Sequence, residues 1–281
     1  MSQHFSAFSF VDRIDEIDPG VSARGRFHIP AGLSEFPSSL VAEAIGQLAA
    51  WVSMDRLDYA VRPVAGIAGE ARFLRLAKPG ATLELGVNLV ACSETDVAYG
   101  GWAAIDGEHV TELDHCLGPM LPMSEFDDPA AVRERYALLR GEGAPPDRFT
   151  GVDAIALTVH ERQAGLSLVA GLSVPASAPF FGDHFPRRPV FPATLLLDTL
   201  IRAAVDLANE GAHWPSETTV APLRARDVKM RAFISPGQEL DVKITLDEPR
   251  NDIATARLTA SADGKRVAHG RLDLAPRGPM R

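Results

Sequence analysis

EARFLRLAKPGATLELGVNLV, residues 70–90, and RDVKMRAFISPGQELDVKITL, residues 226–246, are two renderings of one pattern. Each reads as a strand with basic and apolar residues, a Pro-Gly turn, and a second strand of alternating aliphatics. The turns are Pro79-Gly80 and Pro236-Gly237. Proline fixes φ and the following glycine tolerates positive φ, which a tight reversal requires. Working outward, PSSLVAE (residues 37–43) parallels PATLLLD (residues 192–198), with a carboxylate six residues after the proline in both. Pro37 and Pro192 are offset by 155 residues, Pro79 and Pro236 by 157. A register this steady marks a duplication. Looser openings agree with it: VDRI at 11–14 and VDAI at 152–155 each precede a turn and a strand.

Between the copies, Asp128 reads as an N-cap and Pro129 as the first residue of a connecting helix. Residues 141–146 then form a breaker-rich stretch. The expected organisation is an N-terminal domain over 1–125, a linker over 126–147 and a C-terminal domain over 148–281. Each copy holds one long apolar helix, near 38–54 and 193–209, followed by alternating strands. A helix apolar nearly all round must be buried, so the expected class is α+β. In that class two curved antiparallel sheets would each wrap around one central helix.

Of the 281 residues, 46% are hydrophobic and 23% charged, ample for a sizeable core. The net charge of −9 argues against nonspecific nucleic-acid binding, which needs a basic footprint. No run approaches a membrane span, and MSQHFSAFSFVDRIDE has neither a basic leader nor a long apolar stretch. Cys92 and Cys116 show no metal-ligand spacing and read as reduced residues of a cytoplasmic protein.

Glu43 and Gln47 interrupt the first apolar helix, and their i, i+4 spacing puts them on one face. Such a face is either open to solvent or holds a buried carboxylate, which must be paired, neutralised or functional. Asp198 poses the same question in the second helix, with Arg202 at i+4 as a compensating partner. Just before that helix, PFFGDHFPRRPVFPATLLLD (179–198) sets His184 in a Gly/Pro-rich loop between phenylalanines. A loop histidine is often structural. A held one is suited to take a proton alpha to a thioester carbonyl near neutral pH.

GDHFPRRPVFP followed by a carboxylate resembles the signature of the FabZ/FabA hotdog dehydratases of fatty-acid synthesis, GHFPxxPVxPG with an acid fourteen residues after the histidine. His184 to Asp198 has that spacing, and Glu43-Ala-Ile-Gly-Gln47 resembles the family's E-A-x-x-Q. FVDRI (10–14), IDPG (17–20) and RFLRLAKPG (72–80) look like its flanking segments. The resemblance implies a double hotdog, a pseudo-dimer within one chain, with a homodimer of such chains also compatible. It implies that His184 of the second copy meets Glu43, supported by Gln47, of the first. His28 in HIPAGLSEFP (28–37) is similar to the HxxxGxxxxP motif of polyketide-synthase dehydratases, so His28 and Asp198 form a candidate second site. The first copy, however, lacks most of the loop that carries His184, which favours one working site.

The implied activity is dehydration of 3-hydroxyacyl thioesters, with His184 as base, Glu43 as acid and no metal or organic cofactor. The family's Gly after the helix-starting proline is Ser38 in one copy and Ala193 in the other. The helix N-terminus at Ser38 and Ser39 is the expected site for the developing oxyanion. The acyl group would arrive on an acyl carrier protein or coenzyme A. Arg187, Arg188, Arg224, Arg226, Lys229 and Arg231 are candidate docking residues or else ordinary solvated charge. The rival readings are an acyl thioesterase and a non-catalytic acyl-binding scaffold.

Overall fold

A computed structural model describes residues 7–211, 214–215 and 218–276. The first six residues of the stretch read against a leader lie outside them. In chain order the strands of the first half are β1 (Arg13–Asp18), β2 (Ser22–His28), β3 (Val61–Pro63), β4 (Ile67–Phe73), β5 (Thr82–Cys92), β6 (Asp96–Ile105) and β7 (Glu108–Pro122). Helix α1 (Ser38–Arg56) lies between β2 and β3, and α2 (Pro129–Arg140) follows β7. The second half comprises β8 (Leu157–Gln163), β9 (Ser167–Ser173), α3 (Pro179–His184), α4 (Ala193–Asn209), β10 (Val220–Met230), β11 (Glu239–Leu246), β12 (Ala254–Ala262) and β13 (Lys265–Pro276).

The strands alternate buried and exposed residues, as in SARGRFH of β2 and ELDVKITL of β11. That pattern suits an antiparallel sheet with one face on a core. The expected two sheets are in fact one sheet, running β1-β2-β5-β6-β7-β4-β10-β13-β12-β11-β9-β8, with β3 paired to the end of β7. The halves join where β4 pairs antiparallel with β10, Arg224 opposite Arg72 and Arg226 opposite Glu70. Here the opening strands of the two repeat copies meet each other. Unpaired, each would expose a row of N–H and C=O groups, and pairing removes both edges. The turns after them behave as read: Gly80 has φ +84° and Gly237 φ +74°.

Both long helices bury apolar side chains along most of their length. α1 packs on β1, β2, β3, β5, β6 and β7, α4 on β10, β11 and β13, and the two helices touch each other. Asp128 caps α2, its carboxylate accepting from the Ala130 N–H at 2.9 Å, and Pro129 opens the helix. No helix among the described residues is long and apolar enough to cross a membrane.

The loop expected around His184 is partly helical, since α3 ends on that residue. Pro179 at its first turn presets a helical φ, and Phe180 and Phe181 bury their rings in the core. Hydrophobic anchoring thus gives six residues a helical turn where glycine and proline suggested none.

Candidate active site

The start of the described chain packs over the end of α3. The Asp183 carboxylate accepts from the Phe8 N–H at 2.9 Å, the Ser9 hydroxyl at 2.9 Å and the Ala7 N–H at 3.2 Å. This holds the Phe8 ring edge-on to His184, centroids 5.2 Å apart, while Phe185 covers the imidazole at 4.0 Å. The His184 Nδ1 lies 3.3 Å from the Val190 carbonyl oxygen. A carbonyl only accepts, so this contact favours the tautomer with the proton on Nδ1 and leaves Nε2 with a free lone pair. Burial, reinforced by the nearby Arg62 charge, lowers the His184 pKa to about 3. Burial therefore favours the neutral ring, whose Nε2 can accept a proton.

Glu43 enters from α1. Its Oε1 accepts from Gln47 Nε2 at 3.0 Å and its Oε2 from the Thr194 hydroxyl at 2.8 Å. Gln47 is fixed in turn: its Oε1 accepts from the Phe10 N–H at 2.8 Å, and its Nε2 also donates to the Phe8 carbonyl at 3.1 Å. Burial raises the Glu43 pKa despite the hydrogen bonds from Gln47 and Thr194 and the Arg62 charge. The carboxyl is thus biased toward its protonated form, as a general acid requires.

His184, Glu43 and Gln47 line one cavity of about 260 Å³, so the structure brings these three together from opposite halves. Its walls are largely apolar, among them Trp51, Met54, Val64, Leu113 and Leu197. That combination of an apolar chamber and a few convergent polar groups is typical of a small-molecule site.

The helix N-terminus at this cavity is not the expected one. Ser38 and Ser39 are buried, and the Ser39 hydroxyl donates to Asp198 at 3.1 Å. Ala193 and Thr194, the first residues of α4, line the cavity instead. The oxyanion expectation therefore moves from α1 to α4, whose first N–H groups lack intrahelical acceptors. The cause is the crossed arrangement: Glu43 lies on the second turn of α1, facing the beginning of α4.

The second candidate pair is not brought together. His28 has Nδ1 at 3.2 Å from the Thr82 hydroxyl and Nε2 at 3.5 Å from Asp147. Asp198 accepts from Ser39 and from Arg202 Nε at 2.6 Å, and Arg202 also pairs with Glu35. Each residue is occupied locally.

Four of the six docking candidates are engaged in ion pairs within the chain. Arg187 pairs with Asp128 and Arg188 with Glu125, clamping the segment before α2. Arg224 and Arg226 both bind Asp273, and Arg224 also reaches Glu70. Lys229 and Arg231 form no ion pair among the described residues, although Arg231 Nε donates to His269 Nδ1 at 3.4 Å. With Arg266 they depress the pKa of His269, after burial, the larger cause. Two residues escaped the sequence reading. Thr194 was hidden among apolar helix positions, and Arg62 is drawn into the cavity wall by the pairing of β3 with β7.

A model of the FabA-like domain matches residues 144–271, which contain α3, α4 and most of the second half. The 3-hydroxyacyl-[acyl-carrier-protein] dehydratase FabZ of Herpetosiphon aurantiacus is 31% identical over 118 residues, 42% of this chain and 82% of that protein. The chain belongs to the FabZ/FabA-like hotdog family. FabZ of Myxococcus xanthus is similar at 31% identity over 38% of this chain and 70% of its own. Four-fifths of a FabZ protein thus occupies less than half of this FabZ/FabA-like chain. Solved structures extend the likeness over both halves. The TesB protein of Mycobacterium avium subsp. paratuberculosis superposes with TM-score 0.58 at 11% identity, covering 94% of this chain and 96% of its own. The 12:0-ACP thioesterase of Umbellularia californica gives TM-score 0.54 at 11% identity, covering 91% and 94%. At such identities these two share the fold of the family and nothing finer.

Proposed function

We propose that this chain is a double hotdog, two units over 1–125 and 148–281 joined by the 126–147 linker, that dehydrates 3-hydroxyacyl thioesters at one composite site. The observation that carries the reading is that His184 and Glu43 line one apolar cavity from opposite halves, where burial favours the uncharged form of each. His184 Nε2 takes the proton alpha to the thioester, and the electron pair moves onto the carbonyl oxygen. The N–H groups at Ala193 and Thr194, with the positive end of α4, stabilise that oxygen. The enolate then collapses, the β-hydroxyl leaves, and Glu43 protonates it to water. A proton returned from the imidazolium to the Glu43 carboxylate resets the site. Gln47 and Thr194 act through Glu43 by holding its carboxyl in place.

The thioester's carrier, an acyl carrier protein or coenzyme A, would approach the basic group of Lys229, Arg231 and Arg266. Lys229 and Arg231 alternate along the chain with Met230 and Ala232, which line the cavity. The test is turnover of carrier-bound 3-hydroxyacyl thioesters followed by mass spectrometry, with free-thiol release measured in parallel. His184→Ala and Glu43→Gln are each expected to lower kcat at least about 100-fold. Wild-type rates in both variants, or hydrolysis outrunning dehydration, would overturn the proposal.

A further inference from the structure

Arg62 lines the same cavity as His184 and Glu43. Its guanidinium lies 4.3 Å from the centre of the Phe185 ring, the ring that covers His184. Among the described residues it makes no ion pair, and its buried Nε has no hydrogen-bond partner. Burial lowers its pKa only to about 10, so the group stays cationic. The charges of Asp127 and Glu43 favour its cationic form and that of Arg135 opposes it, but none of them forms an ion pair with it. Asp127 and Arg135 also line the cavity but satisfy each other in a buried ion pair. Glu43 must be protonated to act as the acid, and its two oxygens are held by Gln47 and Thr194. Asp183 also lines the cavity, but its carboxylate is taken up by the Ala7 and Phe8 N–H groups and the Ser9 hydroxyl. Arg62 is thus left in this wall as a cation whose Nε has no partner.

Buried cations are costly unless paired, and an arginine fork is shaped for an anionic oxygen pair. A plain alkyl chain would deepen the cost by displacing water from the guanidinium without replacing its hydrogen bonds. A chain that carries its own anionic oxygens would remove it. The cation–π contact with Phe185 holds the guanidinium in the cavity wall, so recognition there would be positioned as well as electrostatic.

We propose that Arg62 is a specificity-determining residue that receives an anionic oxygen group on the acyl chain, making carboxyacyl thioesters the preferred substrate class over plain alkyl ones. The inference rests on the reading of this cavity as the acyl site, and its test uses binding so that the two can fail separately.

Non-reacting pantetheine thioesters in matched pairs, butyryl with succinyl and hexanoyl with adipoyl, are titrated calorimetrically into the full chain and into Arg62→Met. The wild type is expected to bind the carboxylate member at least about tenfold tighter in one pair, and Arg62→Met to reverse that order. Arg62→Met is also expected to melt no lower than wild type, since it removes an unpaired buried charge. If it does not fold, Arg62→Lys, which keeps the charge but loses the fork, is expected to weaken the carboxylate preference severalfold. Alkyl members binding equally or more tightly in both pairs would overturn the proposal, as would a carboxylate preference unchanged by the substitution. Either result alongside dehydration that His184→Ala abolishes would leave the dehydratase reading standing. No binding by any of the four would count against both.

Discussion

At the scale of single residues, the two proposed reacting groups have opposite displacements with one principal cause. Burial disfavours the charged form of each, so His184 is pushed down to about 3 and Glu43 up. The free enzyme's kcat/KM is therefore expected to lack the usual histidine limb near pH 6.5. It should instead fall on the alkaline side, as pH rises through the Glu43 value and the acid loses its proton. Thr194 sharpens the test. Its hydroxyl donates to the carboxylate and so favours ionisation. Thr194→Val removes that bond, raises the Glu43 pKa further, and is expected to move the alkaline limb to higher pH. An unmoved limb would show that another group sets it. Glu43 and His184 were legible in the sequence because a polar residue in an apolar helix and a histidine between phenylalanines break a pattern. Arg62 breaks none, for an arginine at the start of a short strand looks solvated until β3 pairs with β7 and carries it inward.

At the scale of elements, the His184 environment depends on an attachment that the linear motif hides. α3 spans only six residues, too few to be stable alone, so burial of Phe180 and Phe181 must hold it. Its Asp183 then ties down residues 7–9, which supply the ring against His184 and the carbonyl that Gln47 holds. The sequence showed the helix 193–209 and the Pro-Gly turns because those rest on local periodicity and backbone chemistry. It could not show α3, which tertiary burial of two phenylalanines holds, or the clamp, whose partners lie more than 170 positions apart. Asp183→Ala is expected to release the clamp and let water reach the imidazole. Loss of burial raises the His184 pKa, while loss of the Asp183 charge, a smaller cause, opposes that rise. The net outcome is an upward movement from about 3 toward 6.5, readable as a new acid limb in kcat/KM or by NMR titration of the ring. A ring that still titrates near 3 would mean that Phe185 and the cavity walls suffice without the clamp.

At the scale of the whole molecule, the duplication was legible while the way its copies join was not. Two sheets and one continuous sheet require the same strands, and the choice depends on how the repeat strands meet. β4 and β10 pair along their backbones, and charge is concentrated at this seam. Asp273 on β13 accepts from Arg224 and Arg226 on β10 and from Thr255 on β12, while Arg224 reaches Glu70 on β4. Burial would raise the Asp273 pKa, but the bonds from Arg226, Arg224 and Thr255 outweigh it and hold the value below the ordinary carboxylate range. A depressed folded-state pKa gives stability that is present above the unfolded value, near 3.8, and lost as pH falls through the folded one. Asp273→Ala should therefore destabilise at neutral pH and flatten the acid-side decline. Breaking a buried pair costs about 3–5 kcal/mol, and the lower end applies because both arginines are partly solvated. For a chain of this size that corresponds to a melting temperature lower by on the order of 5–10 °C. With the seam intact and α1 against α4, both halves are expected to unfold in a single transition, followed by hydrogen exchange on peptides from each half. Two separate transitions in the wild type would show that the halves fold independently and that the seam contributes little to stability.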